Sequence, residues 1–321
     1  MLTILGVTFP FFALVLAGYV AAKRGWLPLT AIPGLNGFVL YFALPAMLFR
    51  FGANTPMAQL LDGSVALLYT LSATVMVLLG MWVLRRQSNW NESAFGTMAV
   101  AFPNTGYMGL PLLLSLFGPA AVGPAIVTIV VDLFFTSSVC IALSRLDQAQ
   151  THGARTALVQ AIKSVFSIPL TWAIGLGALA SINAWVLPEM LTQTVGLMAG
   201  AAAPVALFTI GALLARPVPS AANGWWHWQR GGVDALLVFF KLVVHPVWVS
   251  ALGWGLMQLG LPLTPTALMA VVLVAALPSA SNSALLAERF GADSARITRV
   301  ILLSTALVFP SFSAWVAWYK A

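Results

Sequence analysis

Apolar residues in this chain gather into long, nearly unbroken runs instead of recurring at every second or every third to fourth position. A run that is apolar all round predicts a helix with lipid or protein on every side. A window of membrane-spanning length, about 20 residues, places ten such helices near 4–22, 33–53, 64–84, 94–117, 120–144, 163–183, 190–214, 234–258, 265–288 and 296–318. Most connections are short. The two longest, around 145–162 and 215–233, hold most of the remaining polar residues. The expected fold class is therefore an all-α membrane protein.

Composition leaves little room for anything else. With 321 residues, 60% of them hydrophobic and 7% charged, and a mean hydropathy of +0.95, the chain has no stretch to spare for a soluble domain. The net charge of +7 comes from basic residues lying singly or in pairs between apolar runs, which reads as a topology signal and not as a nucleic-acid surface. With the amino terminus outside, Lys23, Arg24, Arg85, Arg86, Arg145, Arg155, Lys163, Arg216, Arg230, Arg289, Arg296 and Arg299 fall on the cytoplasmic face, and only Arg50 and Lys320 on the other. Both termini are thus expected on the outer side of a bacterial inner membrane. No Lys or Arg precedes Lys23, so the first run reads as a helix and not as a signal peptide. The single cysteine, Cys140, excludes internal disulfides and thiolate metal clusters. No metal or other cofactor is expected.

The chain also repeats itself. A shift of 159 residues superposes Pro10 on Pro169, Gly18 on Gly177, Trp26 on Trp185 and Gly37 on Gly196, and it places residues 45–53, PAMLFRFGA, over residues 204–212, PVALFTIGA. Helices 1 and 2 thus resemble helices 6 and 7. Five spans per half is an odd number, so the two halves are expected to face opposite ways across the membrane.

Two of the predicted helices are interrupted at mid-span. Helix 4 contains residues 101–111, AFPNTGYMGLP, and helix 9 contains residues 276–283, ALPSASNS. Proline removes an intrahelical hydrogen bond and glycine tolerates unwound backbone, so both helices are expected to break. Freed amides and carbonyls are tolerated at membrane depth only where protein or a watery cavity satisfies them, and paired breaks in two repeats point to a binding site. A pair of simple proline kinks is the alternative. The site residues expected from these breaks are Pro103, Asn104, Thr105, Gly106, Pro278, Ser281, Asn282 and Ser283. Asp132, near the middle of helix 5, is expected to face protein or water as a proton- or cation-coupling group or a structural hydrogen-bond partner. Lys241, about two turns into helix 8, either pairs with a carboxylate or substrate or snorkels to the membrane face. His245 reads as a packed histidine and Arg50 as an arginine snorkelling from the outer end of helix 2. His152, His227, Trp225, Trp226 and Trp228 belong to polar loops and interfaces. No His-Glu-x-x-His, no Gly-x-Ser-x-Gly and no second carboxylate near Asp132 supports catalysis.

Residues 102–111, residues 277–282 and the run 286–293, LAERFGAD, together resemble the auxin efflux carrier family, and within it the bacterial members described as malonate or organic-anion transporters. The resemblance covers essentially the whole chain. It implies two inverted five-helix repeats with broken crossing helices 4 and 9, similar to bile-acid symporters and sodium/proton antiporters. It further implies a dimerising scaffold (residues 1–62 and 163–216) and a transport domain (63–147 and 230–321), hence a homodimer moving its cargo by an elevator mechanism. The family holds substrate with an Asn after each helix-breaking Pro, which maps onto Asn104 and, four residues after Pro278 instead of one, onto Asn282. Plant members carry a long central loop and a Lys and Asp pair in helices 2 and 3. This chain has neither, so auxin specificity is not implied and coupling to H+ or Na+ would fall to Asp132 first. The functional expectation is secondary transport of a small organic anion, malonate-like. The rivals are a membrane receptor that binds a metabolite without moving it and a passive channel.

Overall fold

The computed structural model describes residues 2–146, 169–215, 228–280, 282–292 and 294–320, with side-chain placement withheld for some residues at helix ends. The loop residues His152, Arg155, Lys163, Arg216, Trp225, Trp226 and His227, and the candidate Ser281, lie outside the described residues, as does the side chain of Asn282.

The described chain is helical nearly throughout. Its helices are α1 (Leu2–Lys23), α2 (Leu29–Asn54), α3 (Gly63–Leu84), α4 (Trp90–Ala101), α5 (Thr105–Phe117), α6 (Pro119–Ser144), α7 (Pro169–Ile182), α8 (Glu189–Leu214), α9 (Gly232–Gln258), α10 (Pro265–Ala275), α11 (Asn282–Arg289) and α12 (Ser294–Lys320). Among the described residues six are long and apolar enough to cross a membrane: α2, α3 with its leading turn Met57–Leu60, α6, α8, α9 and α12. The remaining apolar helices are shorter. Two of these, α5 and α10, belong to the predicted helices 4 and 9, which are broken into α4–α5 and α10–α11.

Local sequence sets these ends. The Asn89 side chain accepts the Glu92 amide at 2.8 Å to begin α4, and Thr264 Oγ1 accepts the Ala267 amide at 3.1 Å to begin α10. Gly118, at φ 74°, turns the chain out of α5. Among the described residues four π-helical turns interrupt the regular helices, at Val39–Ala43, Thr105–Gly109, Asp132–Thr136 and Phe240–Val244. Two of the four contain the buried candidates Asp132 and Lys241, in keeping with the frequent use of such bulges at functional sites.

Contacts divide the chain into two units. The first gathers the chain up to Asp62, Thr105–Val127, α7 and α8. Its helices approach at glycines. A Cβ on Gly18 would run into the Phe208 carbonyl, and one on Gly177 would lie 2.8 Å from the Phe49 carbonyl. Adding 159 converts Gly18 into Gly177 and Phe49 into Phe208, so the α1–α8 and α7–α2 crossings are the same contact made twice with the partners exchanged. Gly211 against Val15 and Gly52 against Gly177 make the matching close approaches from the other side. Such small-residue crossings are how membrane helices gain packing when no hydrophobic effect drives them together.

The second unit gathers Gly63–Asn104, α6 from Thr128, and α9 to α12. Gly80 forms a notch for Thr97 between α3 and α4, and Gly253 one for Leu268 between α9 and α10. One end of this unit is a basic collar. Asp234 accepts Arg299 Nε at 2.6 Å and lies 3.4 Å from Arg296 Nε, while Arg296 also donates to Ser88 Oγ at 3.0 Å. Arg145 lies over the Phe290 ring, and Asn91 donates to the Phe290 carbonyl. Residues near 88–91, 145, 234, 290 and 296–299, whose arginines the charge count places on one membrane face, therefore meet at one end of the unit.

Gly211→Ala is expected to lower stability by about 1–3 kcal/mol, the usual range for an overpacked contact. Gly175→Ala, on the open side of α7 where a Cβ meets nothing within 4 Å, should leave it unchanged. Thermal melting of the two variants in detergent checks this.

Candidate functional site

The two interruptions meet inside the second unit. Pro103 and Ser279 form an antiparallel bridge in which the Asn104 amide donates to the Pro278 carbonyl at 2.8 Å and the Ala280 amide donates to the Phe102 carbonyl at 3.0 Å. Each proline takes one donor out of its helix, and each break supplies the donor and the acceptor that the other lacks. The bridge has a local two-fold axis that relates Phe102 to Pro278 and Asn104 to Ala280, so that the two hydrogen bonds are equivalent. Reading outward along each strand, Asn104 then corresponds in position to Ala280. Asn282 stands two residues further on, as the first residue of α11, in the place corresponding to Gly106.

Within the second unit three helix ends flank the bridge in sequence: the carboxyl ends of α4 and α10, and the amino end of α11. Helix amino ends carry partial positive charge and free N–H groups, which suits a carboxylate. The bridge is flanked by buried polar atoms without a protein partner among the described residues. These are Asn104 Oδ1 and Ser279 Oγ, with Ser72 Oγ, Thr97 Oγ1 and Thr305 Oγ1 in the same unit. Buried polar atoms are ordinarily hydrogen-bonded, so the two exceptions beside the bridge, Asn104 Oδ1 and Ser279 Oγ, have room for a partner from ligand or solvent. Ser283 is satisfied within its own turn, its hydroxyl donating to the Ala280 carbonyl at 2.8 Å. Thr105 and Gly106 open α5 and cluster with the first unit, where Gly106 faces the Leu44 side chain.

A second group of buried side chains lies between α3, α6 and α9. Asp132 accepts hydrogen bonds from Tyr69 Oη and Thr136 Oγ1, both at 2.9 Å. Lys241 Nζ donates to the Ala275 carbonyl at 3.1 Å and lies 3.2 Å from His245 Nδ1. The His245 and Tyr69 rings stack with centroids 6.2 Å apart. Asp132, Tyr69, Lys241 and His245 are all 0% exposed, so Lys241 does not snorkel. It sits instead on the last carbonyl of α10, where a cation offsets the negative end of that half-helix. With an ammonium beside it, His245 accepts at Nδ1 and carries its proton on Nε2, which has no protein partner among the described residues.

Sequence reasoning singled out Asp132 and Lys241 but not Tyr69, and it read His245 as packing alone. Tyr69 lies in an apolar run that gives no sign of a partner 63 residues away. The spacing of Lys241 and His245, four residues on one helix, was the available signal. Cys140 is buried and free, as a packing residue. Among the described residues no group of three His, Cys, Asp or Glu could hold a metal ion.

Comparison with known proteins adds to this geometry. Residues 3–316 match the family described as "Membrane transport protein". A Rhizobium meliloti protein named "Putative malonate transporter" is 28% identical over 315 residues, which cover 96% of this chain and 93% of that protein. An "Uncharacterized transporter" of Methanothermobacter thermautotrophicus is 26% identical over 309 residues, 94% of each chain. The "Uncharacterized transporter YfdV" of Escherichia coli is 23% identical over 291 residues, 89% of this chain and 88% of that one.

Lys241→Met is expected to cost about 3–5 kcal/mol, because it leaves Asp132 without its nearby opposite charge and frees the Ala275 carbonyl. Adding Asp132→Asn should recover part of that loss. A double-mutant cycle by thermal unfolding measures the coupling, and strict additivity would contradict it.

Proposed function

The chain belongs to the membrane transport protein family, and from that premise we propose that it is a secondary transporter of a small organic anion, with the paired breaks at Pro103 and Pro278 as its substrate site. It is a multi-pass, all-α membrane protein in a family of transporters, not of enzymes. The observation that carries the reading is the bridge: two helix breaks brought together in one unit, edged by Asn104 and Ser279 atoms without a protein partner among the described residues. A carboxylate fits there. The amino ends of α5 and α11, the amide of Asn104 and the hydroxyls of Ser279, Thr105 and Ser281 are donors suited to it, with Asn282 and Ser283 in the first turn of α11. The ends of the Asn104 amide exchange by a half-turn, so it presents a donor as readily as an acceptor. Lys241 supplies a positive charge on the neighbouring end of α10. The name of the Rhizobium relative favours a malonate-like mono- or dicarboxylate.

The architecture we propose is ten spans in two inverted five-helix repeats. The 159-residue shift supports this, since it exchanges the two glycine crossings of the first unit. Residues 1–62 and 163–216 form a dimerising scaffold, and residues 63–147 and 230–321 a transport domain that carries the site past it. The contact grouping follows these boundaries in outline, with Thr105–Val127 clustering instead with the first unit. The basic collar at one end of the second unit faces the cytoplasm of a bacterial inner membrane, so that both termini lie outside.

Purified protein in proteoliposomes is expected to take up labelled malonate or another small carboxylate saturably, with acceleration by unlabelled substrate on the far side. Asn104→Ala should reduce that uptake at least about tenfold, the loss of one or two hydrogen bonds to a charge. Flux that neither saturates nor shows trans-stimulation would make the protein a channel. Binding without flux would make it a receptor.

A further inference from the structure

Among the described residues, the interior of the second unit holds one buried negative and one buried positive group deep in its helices, Asp132 and Lys241, and they are not bonded to each other. The other buried acid, Asp234, is paired with Arg296 and Arg299 in the collar. Each of the two deep groups is held by neutral neighbours, and the neighbours differ in kind. Lys241 faces two acceptors, a carbonyl and an imidazole nitrogen, which match an ammonium. Asp132 faces two hydroxyls, and a hydroxyl both donates and accepts, so Tyr69 and Thr136 serve the carboxylate and the carboxylic acid alike by rotating one O–H.

We propose that transport is coupled to protons by charge balance in this unit: Asp132 takes up one proton for each negative charge of cargo, against the fixed charge of Lys241. The proposal rests on the transport reading above. Without cargo, carboxylate and ammonium sum to zero. With a proton on Asp132 the unit carries one positive charge, and a monoanion at the bridge returns the sum to zero. A unit with only the proton or only the anion carries net charge through hydrocarbon, which is unfavourable. Proton and anion therefore cross together, in the same direction and one to one, and a dicarboxylate crosses as its monoanion.

The same geometry selects the proton over sodium. Sodium needs several oxygen lone pairs converging on it, as hard cations do. Here both carboxylate oxygens point at hydroxyl hydrogens. The titratable and charged groups around Asp132 are Tyr69 from α3, Cys140 on its own helix, and Lys241 and His245 from α9. None of them is a second acid that could share the proton.

The test uses labelled malonate and proteoliposomes, with potassium and valinomycin holding the membrane potential at zero and protein-free liposomes subtracted. For wild type, with both sides well above the second pKa of malonate, a gradient of one pH unit, acid outside, should support accumulation approaching about a hundredfold, tenfold for the proton on Asp132 and tenfold for the proton that malonate itself carries. A sodium gradient should support none. Asp132→Asn should fall to about tenfold, the share of the proton that malonate itself carries, yet keep exchange of labelled for unlabelled malonate, which needs no net proton movement, and Asp132→Glu should recover the wild-type value. Accumulation driven by sodium would overturn the proposal, as would pH-driven accumulation of wild-type size in Asp132→Asn. Because exchange is measured separately, a wild type that exchanges no carboxylate at all would instead remove the transport reading, and this inference with it.

Discussion

Everything else in the second unit is arranged around two backbone hydrogen bonds, Asn104 to Pro278 and Ala280 to Phe102. In hydrocarbon an unpaired amide or carbonyl costs several kcal/mol, and a proline in mid-helix frees such groups. Two prolines in separate helices are tolerable here because each break completes the other. That pairing fixes α4 and α10 relative to one another, and so fixes where their carboxyl ends lie. The negative end of α10 makes the place for Lys241, whose burial would otherwise be difficult to sustain.

Much of this was legible in the sequence because the relevant signals are local. An apolar run long enough to span, and a Pro followed closely by Asn in the middle of such a run, need no partner to be recognised. The 159-residue repeat was legible through Pro, Gly and Trp, and the glycines it aligned turn out to be the residues at which α1 meets α8 and α2 meets α7. What was not legible depends on who meets whom. The family resemblance paired Asn282 with Asn104 despite the unequal spacing from the prolines, and the bridge sets Asn104 level with Ala280, because the β pairing centres on Pro103 and Ser279 instead of on the two prolines. The choice for Lys241 between snorkelling and burial was open in the sequence, since a lysine two turns into a helix has reach enough for either. The carbonyl of Ala275, 34 residues away, decides it. Tyr69 carried no signal at all, being one aromatic among many in an apolar run.

The proposed function and the proposed coupling draw on two buried groups, the bridge and the Asp132 cluster, which both lie within the second unit. The first unit is packed through glycine crossings, at which an added Cβ would meet neighbouring backbone.

The central claim is that the bridge is a substrate site reached from each side of the membrane in turn. A Ser279→Cys variant, with Cys140 replaced by Ala, tests it directly with a membrane-impermeant thiol reagent applied from either face of oriented vesicles. Labelling from both faces, slowed by saturating carboxylate, is the predicted result. Labelling from one face only, or at a rate that no carboxylate alters, would contradict the account.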